Sequence, residues 1–355
     1  MSKLSELLEL WQAMQPLSEE NKLRLERKFK LDFNYNSNHI EGNTLTYGQT
    51  EVLLMLGEIV GTAKMKDCED MKAHNLCLHL MIEEAQSADH LSESFIKRLH
   101  QVMLREDYTV YRNLPGGQIT SYVVHAGTYK TRPNSVITPT GERFEYASPE
   151  ETPALMYDLI SWYNSAEQEG TLSPIELAAL FHYRYIRIHP FEDGNGRIAR
   201  LMVNFILLRH NIPMVVVLSR KKQSYLRALA SADSQTGPIP SDGAHASLDK
   251  ITPFVKYMTN LVINNIAQDI SFINSDPSLT WWYDGEIVSF RSMNTITILK
   301  HLMTNPCSTI SELSAITGIN TSAIQKQLES LSSKGYIVKD DTAKTWRVII
   351  LSTTK

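Results

Sequence analysis

The sequence predicts a mainly α-helical chain with a β-hairpin in its middle and a winged helix-turn-helix at its C-terminal end. Three observations carry this. Apolar residues recur three and four apart through most of the chain. Turn-forming sequence concentrates between Asn113 and Pro149, where "NLPGGQ" and "TPTGERF" stand. From Met293 onward the order reads helix, helix, turn, helix and a pair of strands. A length of 355 residues calls for a main domain with at least one smaller one, and 43% hydrophobic with 21% charged residues describes a chain that folds.

From Met1 to about Leu104, "KLRLERKFKLDF" and "MKAHNLCLHLMIEEA" place apolar residues at helical spacing. In the turn-rich section, Val136 to Thr138 and Arg143 to Tyr146 are expected to pair as a hairpin. Helical spacing returns at "PALMYDLISWYNSA". "TLSPIELAALFHYRYIRI" then opens with Ser173 as N-cap and Pro174 at the first helical position. The apolar helix "IARLMVNFILLRHN" is expected to end near Pro213, and "DSQTGPIPSDGAHAS" reads as a surface loop. A helix around "FVKYMTNLVINNIAQDISFI" leads to "NSDPSLTWWYDG", read as a linker with an aromatic anchor. In the tail, "MNTITILKHLM", "TISELSAITGI" and "TSAIQKQLESLSSKG" are the three helices and "YIVKDDTAKTWRVIIL" the two-stranded wing.

A formal net charge of −4 gives no global attraction to nucleic acid or to an acidic membrane. Cys68, Cys77 and Cys307 are odd in number and lack metal-ligand spacing, so they read as buried thiols of a reducing compartment. The start "MSKLSELLELWQAMQ" has acids among helically spaced apolar residues, unlike a targeting segment. No apolar run approaches the ~18 residues a membrane helix needs. These features place the chain in the cytoplasm with no membrane partner.

The chemistry concentrates in "IHPFEDGNGRIAR", Ile188 to Arg200. "GNGRIA" satisfies the dinucleotide pattern G-x-G-x-x-A, but a helical segment precedes it and no acid follows between Arg197 and Asp233, so that fold is excluded. The P-loop pattern is absent. Gly194 and Gly196 let backbone N–H groups approach a ligand at the start of a helix, where the macrodipole favours an anion. Arg197 and Arg200, three apart, share one face of that helix and converge on the same anion. Together these form a polyphosphate cradle. A triphosphate brings Mg²⁺, which explains an acid, Asp193, beside the cradle. His189 stands just before it, as a general base for a hydroxyl nucleophile would.

These residues carry a resemblance. His189 to Arg200 match every defined position of the signature His-Pro-Phe-x-(Asp/Glu)-Gly-Asn-Gly-Arg-x-x-Arg of the Fic family, and the resemblance covers about Leu31 to Asp233. It implies an all-helical Fic core with a β-hairpin flap. It also implies transfer of AMP from Mg-ATP to a Ser, Thr or Tyr hydroxyl of a target protein, or of the chain itself. By the same resemblance His189 is the base, Phe191 anchors the loop and Asp193 holds Mg²⁺. Asn195 with Gly194 and Gly196 binds phosphate, Arg197 the inner phosphates and Arg200 the γ-phosphate. Doc-like kinases of the family carry a bulkier residue at the second glycine, so Gly196 points to nucleotidyl transfer. Thr131 to Ala147 resembles the flap that aligns a target's backbone by strand addition. Where relatives have a Tyr-Tyr pair and, further on, an Asn, this chain has Tyr225, Leu226 and Asp233; Tyr225 remains a nucleotide-binding candidate.

"SNHIEGN" resembles the family's inhibitory motif (Ser/Thr)-x-x-x-Glu-(Gly/Asn), matched by Ser37, Glu41 and Gly42. Glu41 falls just before Gly42, a helix C-cap candidate, where an acid opposes the macrodipole by ~0.3–1 kcal/mol. The resemblance implies that Glu41 pairs with Arg200 and excludes a productive γ-phosphate pose. In some relatives the same glutamate supports removal of AMP.

The expected division is 1–104, a helical region carrying the inhibitory motif at 37–43; 105–235, the core with its flap (131–147) and signature (189–200); 236–290, a helical connector; and 291–355, the winged helix-turn-helix. In the tail Lys300, Lys326, Lys334, Lys339, Lys344, Arg347 and Lys355 outnumber Glu312, Glu329, Asp340 and Asp341. Gln325, Lys326 and Gln327 stand where a recognition helix would meet a groove. DNA binding and protein interaction, including a homodimer, are both open to such a tail. The competing function is therefore a transcriptional regulator whose core only senses nucleotide.

Overall fold

The computed structural model describes residues 2–59, 61–113, 119–137, 143–305, 308–334, 336–340 and 345–347. In chain order its helices and strands are α1 (Lys3–Ala13), α2 (Glu19–Ile40), α3 (Tyr47–Leu56), α4 (Met65–Ala85), α5 (Glu93–Leu104), β1 (Tyr108–Asn113), β2 (Ile119–Val124), β3 (Ser135–Ile137) and β4 (Arg143–Glu145). There follow α6 (Thr152–Glu169), α7 (Pro174–Ile188), α8 (Asn195–Arg209), α9 (Lys222–Thr236), α10 (Pro240–Ala244), α11 (Thr252–Ile273), β5 (Thr280–Tyr283) and β6 (Glu286–Ser289). The tail holds α12 (Met293–Thr304), α13 (Ile310–Thr317), α14 (Thr321–Ser333), β7 (Val338–Asp340) and β8 (Thr345–Arg347). Two units interleave along the chain: Met1–Leu10 with Ala73–Ile266, and Trp11–Lys72 with Ala267–Lys355. Residues 73–104, grouped by sequence with the N-terminal region, lie in the first unit with the core.

The first unit is built on α7 and α8, with α5, α6 and α10 packed against them. Helix α7 starts where the sequence predicts: Ser173 Oγ accepts the Glu176 N–H at 3.3 Å and Glu176 Oε2 accepts the Ser173 N–H at 2.9 Å, a reciprocal cap. Helix α8 is buried nearly all round, with Ile198, Leu201, Met202 and Phe205 completely so. Each such side chain contributes ~1.5–3 kcal/mol of burial, so the helix that carries both cradle arginines is fixed by its core. Cys77 is buried here, its thiol pushed up to about 12 by burial. Cys68 is buried in the second unit, and Cys307 lies outside the described residues.

In the second unit, α12, α13 and α14 enclose a core of Ile296, Leu299, Leu302, Leu313, Ile324 and Leu328, and β7 pairs antiparallel with β8. This is the expected helix-turn-helix with its wing. Gln325 and Lys326 are exposed on α14, and Gln325 donates to Glu329 Oε1 at 3.1 Å. Buried Asp32 of α2 accepts the Tyr47 hydroxyl at 2.7 Å and the Trp282 Nε1–H at 2.8 Å.

Three local expectations need correction. "NSDPSLTWWYDG" is not a linker but contributes β5 of a hairpin with β6, in which Trp281 and Trp282 are buried. The stretch read as a surface loop is partly helical, since α9 runs to Thr236 and α10 follows with Gly243 and Ala244 buried. The turn at "NLPGGQ" lies largely outside the described residues, but β1 and β2 flank it as an antiparallel pair that sequence did not anticipate. The expected flap hairpin is present as Ser135–Ile137 against Arg143–Glu145, with Val136 opposite Phe144; Thr138 lies outside the described residues. Among the described residues no helix is long and apolar enough to cross a membrane.

Candidate functional site

The site begins where α7 ends. His189 caps that helix in the left-handed conformation, φ 50° and ψ 62°, sparsely populated for a non-glycine residue and held only where neighbours over-determine it. The neighbours are visible. Lys130 Nζ donates to the carbonyls of Ile188 and His189 and to Asn134 Oδ1, each at 3.0 Å, so it supplies donors to carbonyls a helix end leaves orphaned. Burial pushes the Lys130 ammonium down to about 8. The Lys130 N–H also donates to the Pro190 carbonyl at 2.8 Å.

The loop is braced from within and beneath. Asn195 Oδ1 accepts the Phe191 N–H at 3.0 Å while its Nδ2 donates to the Phe191 carbonyl at 2.7 Å. Phe191 is fully buried and stacks on His100, centroids 3.8 Å apart. His100 Nδ1 accepts the Gly127 N–H at 2.9 Å, which leaves its Nε2–H to donate to the Asp193 carbonyl at 3.1 Å. Burial lowers the His100 pKa to about 4, so this wedge stays neutral. Glu192 turns aside: its Oε1 accepts from the Thr131 N–H and hydroxyl at 3.3 and 3.2 Å.

At His189 itself, the amides of Asn134 and Asn195 approach Nδ1 at 2.8 and 3.1 Å, and the Tyr146 ring stacks on the imidazole at 4.0 Å. Burial, then the Lys130 ammonium, lower its pKa to about 3, so the ring is uncharged at neutral pH.

Gly194 is the N-cap of α8 with φ 78°, a conformation that favours glycine, and among the described residues no side chain caps the first amides of the helix. Arg197 and Arg200 are both buried in its first turns. Arg197 Nη2 lies 3.7 Å from Asp193 Oδ1, while its Nε has no hydrogen-bond partner among the described residues. His74 and His182 are held neutral beside these guanidiniums, His182 at about 3, by burial and then by the arginine charge. Buried positive charge, unfilled helix amides and an orphaned Nε describe an anion seat.

Asp193 borders it. Its Oδ2 accepts the Tyr108 hydroxyl and its Oδ1 the Gly194 N–H, both at 2.6 Å. Burial opposes ionisation, but Arg197 and these two donors outweigh it and hold the carboxyl below its usual range. Among the described residues no group of three metal-ligating side chains occurs. A single carboxylate beside an anion seat suits Mg²⁺ that takes its other ligands from phosphate and water.

Of the residues singled out by sequence, His189, Asp193, Gly194, Asn195, Gly196, Arg197 and Arg200 thus share one loop and helix start. The Asn195 carboxamide is spent on the loop, on the Phe191 N–H and carbonyl and on His189 Nδ1. Tyr225 is buried, with its hydroxyl 2.8 Å from His182 Nε2 and its ring beside Phe254 and Tyr257. Asp233 accepts from Tyr183 at 2.8 Å and Arg187 at 3.1 Å. Ser37, Glu41 and Gly42 belong to the second unit. There Ser37 is buried in α2, Glu41 is the C-cap, and Gly42 follows with φ 97°. Sequence reasoning missed His100, Tyr108, Lys130, Asn134 and Tyr146, none of which lies in the signature.

Comparison with known proteins agrees with this geometry. Residues 90–207 match the family model described as Fic/DOC family, and residues 294–338 the one described as winged helix-turn-helix DNA-binding. A solved Fic domain containing signaling protein from Bacteroides thetaiotaomicron is 52% identical, with a TM-score of 0.72, over 77% of this chain and 97% of that one. Protein adenylyltransferase fic-1 of Caenorhabditis elegans is 28% identical over 66% of this chain. The chain spans 40% of the length of that relative. A Fic family protein from Desulfovibrio desulfuricans, 19% identical with a TM-score of 0.56, shares the fold over 100% of this chain. The chain belongs to the Fic family and carries a winged helix-turn-helix at its C-terminal end.

Proposed function

We propose that this chain is an autoinhibited protein adenylyltransferase that moves AMP from Mg-ATP to a hydroxyl of a target protein or of itself. The observation that carries this is an uncharged histidine at one end of a braced loop whose other end is a buried two-arginine anion seat. The target oxygen bonds to the α-phosphorus, the bond from that phosphorus to the bridging oxygen breaks, and pyrophosphate leaves with the electron pair. His189 takes the hydroxyl proton. Arg197, Arg200 and the first amides of α8 neutralise the phosphates, which supplies most of the rate in such chemistry. Mg²⁺ held by Asp193 would add charge neutralisation at the phosphates. A cavity of about 110 Å³ among Tyr122, Arg132, Asn134, Ser135 and Glu192 is large enough for a target side chain beside β3, where a target strand would add.

Glu41 is the inhibitory carboxylate of this reading. Replacing it by Gly should raise incorporation from ATP labelled at the α-phosphate by ~5–150-fold, the usual range for a coupling of this kind. Label carried from the γ-phosphate instead would mean a kinase and would overturn the reading. Removal of AMP by the unmodified chain is the companion activity.

The pH profile gives an independent check. With a folded pKa at about 3 the imidazole is uncharged at every pH well above that value, so transfer should show no loss centred at the ordinary histidine value of ~6.5. An acid limb at that pH would contradict the neutral imidazole.

The match of residues 294–338 to a DNA-binding family favours a second reading, a nucleotide-sensing regulator. Salt-sensitive binding of the full chain to duplex DNA, with no transfer by the Glu41→Gly variant, would select it.

A further inference from the structure

The hydrogen bonds around His189 fix where its proton sits. Asn134 cannot be turned over: its Oδ1 accepts from the Lys130 ammonium at 3.0 Å and its Nδ2 donates to the Phe191 carbonyl at 2.9 Å. The reverse orientation would set an amide N–H against an ammonium and an oxygen against a carbonyl oxygen. Asn195 is fixed in the same way by the Phe191 N–H and carbonyl. Both side chains therefore offer an N–H to His189 Nδ1, at 2.8 and 3.1 Å. A ring nitrogen that receives donors keeps its lone pair, so the single proton of the neutral ring is on Nε2.

That is the wrong tautomer for a base acting at Nε2. Nδ1, which holds the lone pair, is closed off by the two amides, and the Tyr146 ring covers one face of the imidazole. Nε2 makes no hydrogen bond among the described residues, yet it carries a proton and accepts none. We infer that Asn134 is a positioning residue that latches His189 in its Nε2–H form at rest, and that the base is armed only when this amide lets go. Release leaves Nδ1 facing only the longer Asn195 contact at 3.1 Å, whose amide keeps the Phe191 carbonyl as its shorter acceptor at 2.7 Å; Nε2 then gives its proton to solvent while Nδ1 takes one, with no net change in charge, and Nε2 can accept the hydroxyl proton. Asn134 immediately precedes strand β3, the flap strand, so a target chain laid along β3 bears directly on the latch. The arming step rests on the reading of His189 as the base; the tautomer itself does not.

The test is a long-range ¹H–¹⁵N correlation spectrum of the full chain labelled with ¹⁵N-histidine, the His189 signals being those absent from a His189→Gln variant. The wild type should show a bare Nδ1 and a protonated Nε2; a protonated Nδ1 in the wild type overturns the inference. Asn134→Asp offers an acceptor in place of the donor and should move the proton to Nδ1. In the Glu41→Gly background it should also raise AMP transfer ~10-fold, within the range general-base catalysis commands. Asn134→Ala, which removes only the shorter donor and introduces no charge beside the Phe191 carbonyl, should raise the Nδ1–H fraction. An unchanged tautomer in both variants would remove Asn134 from this role. If the spectra change as expected but no variant transfers label, the AMP reading fails and the latch stands.

Discussion

Replacing His189 by alanine in the Glu41→Gly chain is expected to lower AMP transfer by ~10²–10⁴-fold, the usual contribution of a positioned general base. The fold should hardly register the change. His189 is half-buried, and the two amides that meet its Nδ1 keep the Phe191 carbonyl as acceptor, at 2.9 Å from Asn134 and 2.7 Å from Asn195. What is lost is one stacking contact with Tyr146 and two hydrogen bonds whose donors keep another acceptor, so the cost to the fold is small beside the loss of the base. Thermal unfolding followed by circular dichroism should therefore shift little while transfer collapses. A parallel collapse of both would mean that the histidine is structural.

The opposite pattern is expected two residues earlier. Arg187 is the largest fully buried side chain of the described residues, and five hydrogen bonds hold it to Tyr183, Asp233, Thr236, Gly237 and Ile239, at 2.8 to 3.2 Å. It therefore ties the end of α9 and the start of α10 to α7. Arg187→Ala leaves Asp233, a largely buried carboxylate, and two chain carbonyls without this donor. Breaking a buried pair from one side costs ~3–5 kcal/mol, and Asp233 remains partly wet, so about 3 kcal/mol is the expected loss. Unfolding in denaturant should show a lower midpoint with an unchanged slope. A loss below ~1 kcal/mol would mean that the guanidinium is not the clasp. The same network bears on two sequence oddities. Gly243 is glycine because a Cβ there would collide with the Arg187 guanidinium. Asp233, where the family resemblance implies asparagine, faces Arg187, with Nη1 3.1 Å from its Oδ1.

The signature from His189 to Arg200 was legible because its residues act within one loop and one helix turn, where spacing in sequence is spacing in space. The Ser173 cap and the three tail helices were legible for the same reason. What holds the loop in place was not. Asn134 is 55 residues from His189 and His100 is 93 from Asp193, and no local pattern marks either as a partner. Strands β1, β2, β5 and β6 escaped because each mixes polar and apolar residues over only four to six positions, too few to show a clear period. The helix at Pro240 was hidden by its proline and glycine, which usually mark turns but here serve as a helix start and as room for Arg187.

The most direct test of the account compares wild type, Glu41→Gly and Glu41→Gly/His189→Ala with Mg²⁺ and ATP labelled at the α-phosphate, reading label on protein by gel and mass spectrometry. Label that is low in the wild type, rises in the single variant and disappears in the double would establish transfer, inhibitor and base together. Equal label in the single and double variants would contradict His189 as the base, and no label in either would leave the anion seat as a sensor of nucleotide.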